Sequence, residues 1–251
     1  MNFKLTLSAV AIAASVFLAG CGGGGGDTPT TATAKLEGVY EGTTSGGSYF
    51  NALVLENNDA WALYGTLSGS TVYVYGVVHA TNGTSNGSTY SASVKDYPYT
   101  GQVYSGSMSV NYASGTLFTG SVATTAEVRN IAASSVPASS FNYNTPANVA
   151  AIAGVWSGTT VGGQAGTMAV NGSGTFTGSI AGCSMSGQLT PRPSGKNVFN
   201  ATVTFGGAPC LYPNATVNGN AVNYAITGGS QLIMVGTSPS GDAGTAFIAR
   251  R

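Results

Sequence analysis

The chain has 251 residues, of which only 6% are charged and 38 are glycine, whereas ordinary soluble domains carry about a quarter charged residues. Eight basic and eight acidic residues leave no net charge, so the chain lacks the positive footprint of a nucleic-acid-binding protein. A hydrophobic fraction of 43% is enough for a folded core and argues against a disordered chain. The scarcity of charged residues makes an ordinary cytoplasmic enzyme a poor fit.

Residues 1–20 have the pattern of a secretory signal peptide. A short amino-terminal region with Lys4 is followed by a largely apolar run from Leu5 to Leu18, and then by small residues. The run is shorter than the roughly 20 residues that a membrane-spanning helix needs. We therefore expect this segment to be a cleaved targeting sequence.

The end of this segment, Leu18-Ala19-Gly20-Cys21, resembles the lipobox of bacterial lipoproteins. The resemblance implies cleavage before Cys21, attachment of diacylglycerol to its thiol, and acylation (palmitate) of its new amino group. More than one acyl chain is what stable anchoring requires. Gly22 stands where an inner-membrane retention signal would often place aspartate, so the resemblance implies the outer membrane. Which side of that membrane the protein faces stays open.

Residues 21–35 predict a flexible tether, because five glycines after Cys21 precede a Thr- and Ala-rich stretch without apolar periodicity. The mature chain then contains a repeat. Residues 36–47 recur as residues 152–163 with seven of twelve positions identical, and each copy is followed by an apolar run and an Asn- and Gly-rich turn. Such turns between short alternating runs are typical of hairpins. We expect two similar lobes, at 36–125 and 150–251.

The remaining segments predict short strands and no sustained helix. Residues 126–149, rich in Ala, Ser, Pro and Asn, predict a linker, with one helical turn starting near Thr145 and Pro146. The expected fold is all-β, with two tandem small antiparallel β-barrel or sandwich lobes. Strands are predicted at Leu53–Leu55, Trp61–Leu67, Thr71–Val78, Ser88–Val94, Gly106–Tyr112, Leu117–Val122, Met168–Val170, Thr175–Ile180, Val198–Phe205, Ala221–Ile226, Gln231–Val235 and Thr245–Ile248.

The opening of the second lobe, Gly154-Val155-Trp156, resembles the G-x-W motif of lipocalin and avidin-type barrels, in which the tryptophan plugs one barrel end. Gly38-Val39-Tyr40 is a weakened copy. Together with the lipobox and the polyglycine tether, Phe205-Gly206-Gly207-Ala208-Pro209-Cys210 resembles a segment of uncharacterised two-lobed lipoproteins of Gram-negative bacteria. That resemblance implies no catalytic residue.

The three cysteines form an even set once Cys21 is assigned to lipid. Cys183 and Cys210 then remain, and an oxidising envelope would join them as a disulfide. The alternative, a zinc site, needs four donors, and the chain has a single histidine, His79. We expect no metal and no cofactor.

Aromatic residues concentrate in the first lobe, which holds ten of the thirteen tyrosines. In the run Thr71–His79, a period of two places Tyr73, Tyr75 and His79 on one side of a strand, and Trp61 adds aromatic surface. These four residues are the candidate ligand face, for a glycan, a peptide or protein, or a small apolar molecule. The alternative is that the rings fill the barrel or cover its wall.

Catalytic groups are sparse. Gly83-Thr84-Ser85-Asn86-Gly87 matches the pattern of a hydrolase nucleophile elbow, but such an elbow needs a helix after it, and a strand is predicted here. A triad would have to combine Ser85 with His79 and with Asp59 or Asp96. Four scattered carboxylates are expected to be solvated surface charges: Glu37, Glu41, Glu56 and Glu127.

These observations favour an outer-membrane-anchored lipoprotein that acts as a non-enzymatic binding or adhesion module. The first alternative is a lipocalin-like carrier of a small apolar ligand, which requires an empty barrel interior. The less favoured alternative is an envelope hydrolase.

Overall fold

The computed structural model describes residues 35–68, 71–113 and 117–251. The signal peptide, Cys21 and residues 22–34 of the tether lie outside the described residues. The described chain forms two closed eight-stranded antiparallel barrels, so the predicted all-β fold with two lobes is confirmed, and the lobes are barrels rather than sandwiches. Within the described ranges there is no helix with the length and apolarity needed to cross a bilayer.

The first barrel is a simple meander in which each strand pairs with the next and the last pairs with the first. Its strands are β1 (Gly38–Thr44), β2 (Tyr49–Val54), β3 (Ala60–Ser68), β4 (Thr71–Asn86), β5 (Thr89–Pro98), β6 (Tyr104–Ala113), β7 (Leu117–Thr124) and β8 (Val128–Ser135).

The second barrel repeats this order. Its strands are β9 (Gly154–Thr160), β10 (Ala165–Val170), β11 (Thr175–Ile180), β12 (Cys183–Pro191), β13 (Phe199–Phe205), β14 (Thr216–Ile226), β15 (Gly229–Thr237) and β16 (Gly244–Arg250).

Strand β8 lies in the segment 126–149 that was predicted as a linker. It pairs with β7 on one side and with β1 on the other, and so closes the first barrel. The Ala- and Ser-rich end of β8 has weak β-propensity. It forms a strand because it is hydrogen-bonded to β1 on one side and to β7 on the other. Strand β12, which was not predicted either, begins at Cys183.

The rest of the predicted linker is packed between the barrels. Phe141 and Tyr143 are buried there, and the backbone N–H of Asn197 donates to the carbonyl of Tyr143 at 2.9 Å. The predicted helical turn is a 3-10 turn at Val149–Ala151, capped by the side chain of Asn148. It therefore starts three residues later than Thr145 and Pro146 suggested.

The sequence repeat has the same structural role in both barrels. The hydroxyl of Tyr40 donates to the carbonyl of Leu36 at 2.8 Å, and the indole of Trp156 donates to the carbonyl of Ile152 at 2.8 Å. Both rings are buried and close one end of their barrel. In the second barrel the guanidinium of Arg251 lies over the Trp156 ring, 4.6 Å from its centroid.

Two repeated glycines allow the barrels to close. A Cβ on Gly42 would lie 2.1 Å from the carbonyl oxygen of Ala132, and a Cβ on Gly158 would lie 2.1 Å from that of Ile248. These are the seams where the first and last strands of each barrel pair. Only glycine permits so close an approach of two backbones.

A third apolar cluster joins the two barrels to each other. It combines residues from the outer walls of both barrels with the packed linker: Val39, Leu53, Leu55, Trp61, Val77, Tyr97, Phe141, Tyr143, Val198, Val222, Val235, Ala246 and Ile248. Because this cluster is continuous, the barrels form one body.

Ion pairs reinforce this contact region between the two barrels, which we call the joint. Arg192 Nε lies 2.8 Å from Glu56 Oε1, and Lys196 Nζ lies 2.9 Å from Glu37 Oε1. Burial tends to raise the pKa of Glu56, but hydrogen bonds from Arg192 and other donors outweigh it and hold that pKa at about 2. The expectation that Glu37 and Glu56 are solvated surface charges is therefore wrong, because the second barrel covers both.

Candidate ligand-binding site

The interior of the first barrel is hollow. An eight-stranded barrel is just wide enough to be filled by side chains or to hold one small ligand. Here many inward positions carry small residues, and a cavity of about 280 Å³ remains. Alanines form part of its wall: Ala52, Ala60, Ala62 and Ala80.

The closed end and the side wall of this cavity are apolar. The residues that line them are Leu36, Phe50, Val54, Val78, Tyr90, Met108, Val110, Phe118, Val122 and Ile131. Tyr40 is buried beneath them and packs edge-on against Phe118, with ring centroids 4.8 Å apart. The cavity can therefore enclose an apolar body.

One carboxylate lies in this wall, near the mouth. On β5 the inward positions are Tyr90, Ala92 and Val94, which are all buried, and the next inward position is Asp96. The hydroxyl of Tyr64, on β3, donates to Asp96 Oδ1 at 2.8 Å. Burial, with a smaller contribution from the Glu127 charge, raises the pKa of Asp96 above its ordinary value.

The mouth carries the remaining polar groups. Arg129 and Glu127, on or beside β8, form an ion pair with 2.5 Å between Arg129 Nη2 and Glu127 Oε2. Thr44, Ser48 and Thr124 complete the polar rim. The cavity thus has an apolar interior and a polar entrance, which is the usual character of a small-molecule site.

The candidate ligand face is divided between two places. Trp61 and His79 stack face to face, with ring centroids 3.6 Å apart and planes 5° apart. Trp61 is 4% exposed, and its indole donates to Asn220 Oδ1 of the second barrel at 2.9 Å. Trp61 therefore helps to join the barrels and His79 packs against it, as in the alternative that aromatic residues cover the barrel wall.

Tyr73 and Tyr75, by contrast, are exposed, and Tyr75 lines the mouth of the cavity. The prediction that they share one side of the strand with His79 is wrong. The pairing of β3 with β4 skips Tyr75, since Tyr64 pairs with Gly76 and Gly65 with Val74. This β-bulge shifts the alternation, so that His79 faces the second barrel.

A second cavity, of about 290 Å³, opens at the end of the second barrel that Trp156 does not close. Its apolar wall includes Met185, Val203, Phe205, Met234 and Phe247, and the turn of the first barrel at Pro98 and Tyr99 borders it. Tyr99 is 63% exposed and lies 6.1 Å from Tyr75, measured between ring centroids. The two cavities therefore open on neighbouring parts of the surface.

The disulfide between Cys183 and Cys210 is formed, with the sulfur atoms 2.06 Å apart. Cys183 begins β12, and Cys210 lies in the segment between β13 and β14. Cys183, Pro209 and Leu211 all border the second cavity. The disulfide thus holds the 206–215 segment at the mouth of the second barrel.

The residues of the triad hypothesis lie apart from one another. Ser85 Oγ donates to Asn58 Oδ1 at 2.8 Å, whereas His79 stacks on Trp61 in the joint. Asp96 accepts from Tyr64 inside the barrel, and Asp59 pairs with Asn57 in the β2–β3 turn. Among the described residues no hydrogen bond joins Ser85 to His79, and no group of three His, Cys, Asp or Glu side chains could hold a metal.

From the sequence, Asp96 was considered only as a possible triad member, and its pairing with Tyr64 in the cavity wall was missed. The sequence did contain a signal for it, because a carboxylate at Asp96 continues the apolar inward series of β5. What the sequence lacks is any indication that this face borders empty space.

No protein-family model matches the chain, and no curated protein matches it. Among solved structures, the chain is similar to the crystal structure of the isotype 1 transferrin-binding protein B from serogroup B Neisseria meningitidis, with 10% sequence identity and a TM-score of 0.30. The similarity covers 81% of this chain and 65% of that one, so the chain spans less than two thirds of that protein's length. At this identity and score the likeness carries no argument about ligands or partners.

Proposed function

We propose that this protein is a non-enzymatic binding protein, anchored at the outer membrane through Cys21, and that its ligand site is the interior of the first barrel. The observation that carries the proposal is the cavity of about 280 Å³ inside that barrel. A small, largely apolar molecule is the ligand that such a cavity fits. The protein would then act as a lipocalin-like carrier of a small apolar ligand.

The use that the fold makes of its few charged groups supports a binding role. Glu56 and Glu37 pair with Arg192 and Lys196 across the joint. Lys95 donates to the carbonyl of Gly241 at 2.8 Å, again from one barrel to the other. Because these charged groups are engaged in joining the barrels, they are not free to move protons, which favours a binding role over catalysis.

The test is whether a neutral apolar fluorophore, N-phenyl-1-naphthylamine, binds the purified mature protein in a saturable one-to-one manner. Ala62 lines the cavity and is only half-buried, so an Ala62→Phe variant places a ring in the open space. We expect this variant to lose binding at least tenfold. The matched control is Ala132→Phe, which adds the same ring on the exposed outer face of β8 and should bind as the wild type does.

Equal binding by the wild type and by Ala62→Phe would contradict the cavity as the site. Absence of binding to the wild type would remove the carrier function altogether. The exposed rings of Tyr73 and Tyr99 would then be the surface on which a binding or adhesion function rests.

A further inference from the structure

Within the described residues, the carboxylate of Asp96 has no cationic partner. Its neighbour Lys95 points to the opposite side of β5, where its ammonium donates to Gly241 of the second barrel at 2.8 Å. Arg129 is already paired with Glu127 at the mouth. None of the ion pairs among the described residues includes Asp96.

Asp96 also has an oxygen available to a ligand. The hydroxyl of Tyr64 donates to Oδ1 and the backbone N–H of Tyr97 donates to the same carboxylate, but no side chain in the described parts of the chain donates to Oδ2. A half-buried carboxylate without a counter-ion is disfavoured by desolvation, which is why burial raises the pKa of this group. A bound cation would compensate that loss with a charge-assisted hydrogen bond.

The position of Asp96 at the polar mouth of an apolar cavity fits a ligand with a polar head group and an apolar tail. Asp96, Tyr64 and the Glu127–Arg129 pair lie at the mouth, while the closed end is lined by apolar side chains such as Phe50 and Phe118. With Arg129 balanced by Glu127, the net charge of the lining is negative when Asp96 is ionised. The mouth therefore favours a positive head group over a negative one.

We propose that the first barrel binds an amphiphile with a protonated primary amine, whose ammonium donates to Asp96 Oδ2 at the mouth and whose apolar tail fills the closed end. This inference rests on the proposed function, because it requires the cavity to hold a small ligand. It adds the chemical class of that ligand and the residue that selects it.

The experiment compares three probes with the same tail, decylamine, decanol and decanoate, by isothermal titration calorimetry at neutral pH. We expect the wild type to bind decylamine most tightly and decanoate least tightly. In Asp96→Asn the advantage of the amine over the alcohol should fall about tenfold to a hundredfold, which is the range for hydrogen bonds to charged groups. Decanol binding should be unchanged, which also shows that the variant is folded.

The matched control is Asp59→Asn, which removes one negative charge at the β2–β3 turn, at the closed end of the barrel. It should retain the preference of the wild type for the amine. Equal binding of amine and alcohol to the wild type, or an unchanged ratio in Asp96→Asn, would overturn this inference and leave the carrier function standing. Failure of all three probes to bind the wild type would overturn both.

Discussion

The stacked pair of Trp61 and His79 makes the stability of the joint depend on pH. Burial lowers the pKa of His79 from 6.5 to about 4, while the charge of Asp59 opposes the shift and that of Lys95 adds to it. The ring is neutral at pH 7, and protonation would place a charge against the second barrel. Because the unfolded chain takes up this proton near pH 6.5 and the folded chain only near pH 4, the free energy of unfolding decreases as the pH falls between those values.

The magnitude follows from the two pKa values. A folded pKa of about 4 instead of 6.5 corresponds to about 3 kcal/mol, at about 1.4 kcal/mol for each tenfold change in acidity constant. The ring retains some solvent exposure, and screening by water reduces the expected loss to about 2 kcal/mol. About three quarters of this loss is present at pH 4.5, and the remainder follows as the pH falls through the folded pKa of about 4.

The assay is urea unfolding at about pH 7.5 and about pH 4.5, for the wild type and for His79→Phe. The phenylalanine ring keeps the stack on Trp61 but cannot take up a proton. We expect the wild type to lose about 1.5 kcal/mol more than the variant between the two pH values. Glu56, with its pKa of about 2, is present in both proteins and acts mainly at lower pH. Parallel losses in the two proteins would refute the assignment of this pH dependence to His79.

Two further predictions concern the cysteines. The disulfide of Cys183 and Cys210 joins residues 27 apart, for which the chain-entropy relation gives about 3 to 4 kcal/mol; reductant should therefore lower the thermal stability of the second barrel. The Cys183→Ser/Cys210→Ser variant should not respond to reductant, and a wild type that melts identically with and without reductant would contradict the prediction. Cys21→Ser should move the protein from the membrane to the soluble fraction, and globomycin, which blocks lipoprotein signal cleavage, should cause the precursor to accumulate. Retention of the serine variant in the membrane fraction would count against lipid attachment.

The candidate site could be predicted only in part from the sequence. The inward positions Tyr90, Ala92 and Val94 follow from alternation alone, whereas Asp96 lies two residues beyond the predicted strand, and only the full length of β5 places it on the same apolar face. Alternation does not say how many strands close the barrel or how its radius compares with the side chains inside it. For that reason the sequence left open whether the interior is filled or hollow, and with it the choice between a binding surface and a carrier.

Local chemistry was sufficient for the features that depend on neighbouring residues. Alternating runs and Asn- or Gly-rich turns determined most strands, and the turn at Asn58 does adopt the positive φ of 64° that asparagine tolerates. The repeat determined that two similar bodies exist, and Tyr40 and Trp156 do play the same part in each.

Tertiary structure decided the rest, because it depends on contacts between residues distant in the chain. Strand β8 is ordered by β1 and β7 rather than by its own propensity. The bulge at Tyr75 reverses the side that His79 faces, and Trp61 finds its partner Asn220 in the other barrel, 159 residues away. Barrel closure and barrel packing thus determine which aromatic rings are exposed, which are buried in the joint, and where empty space remains for a ligand.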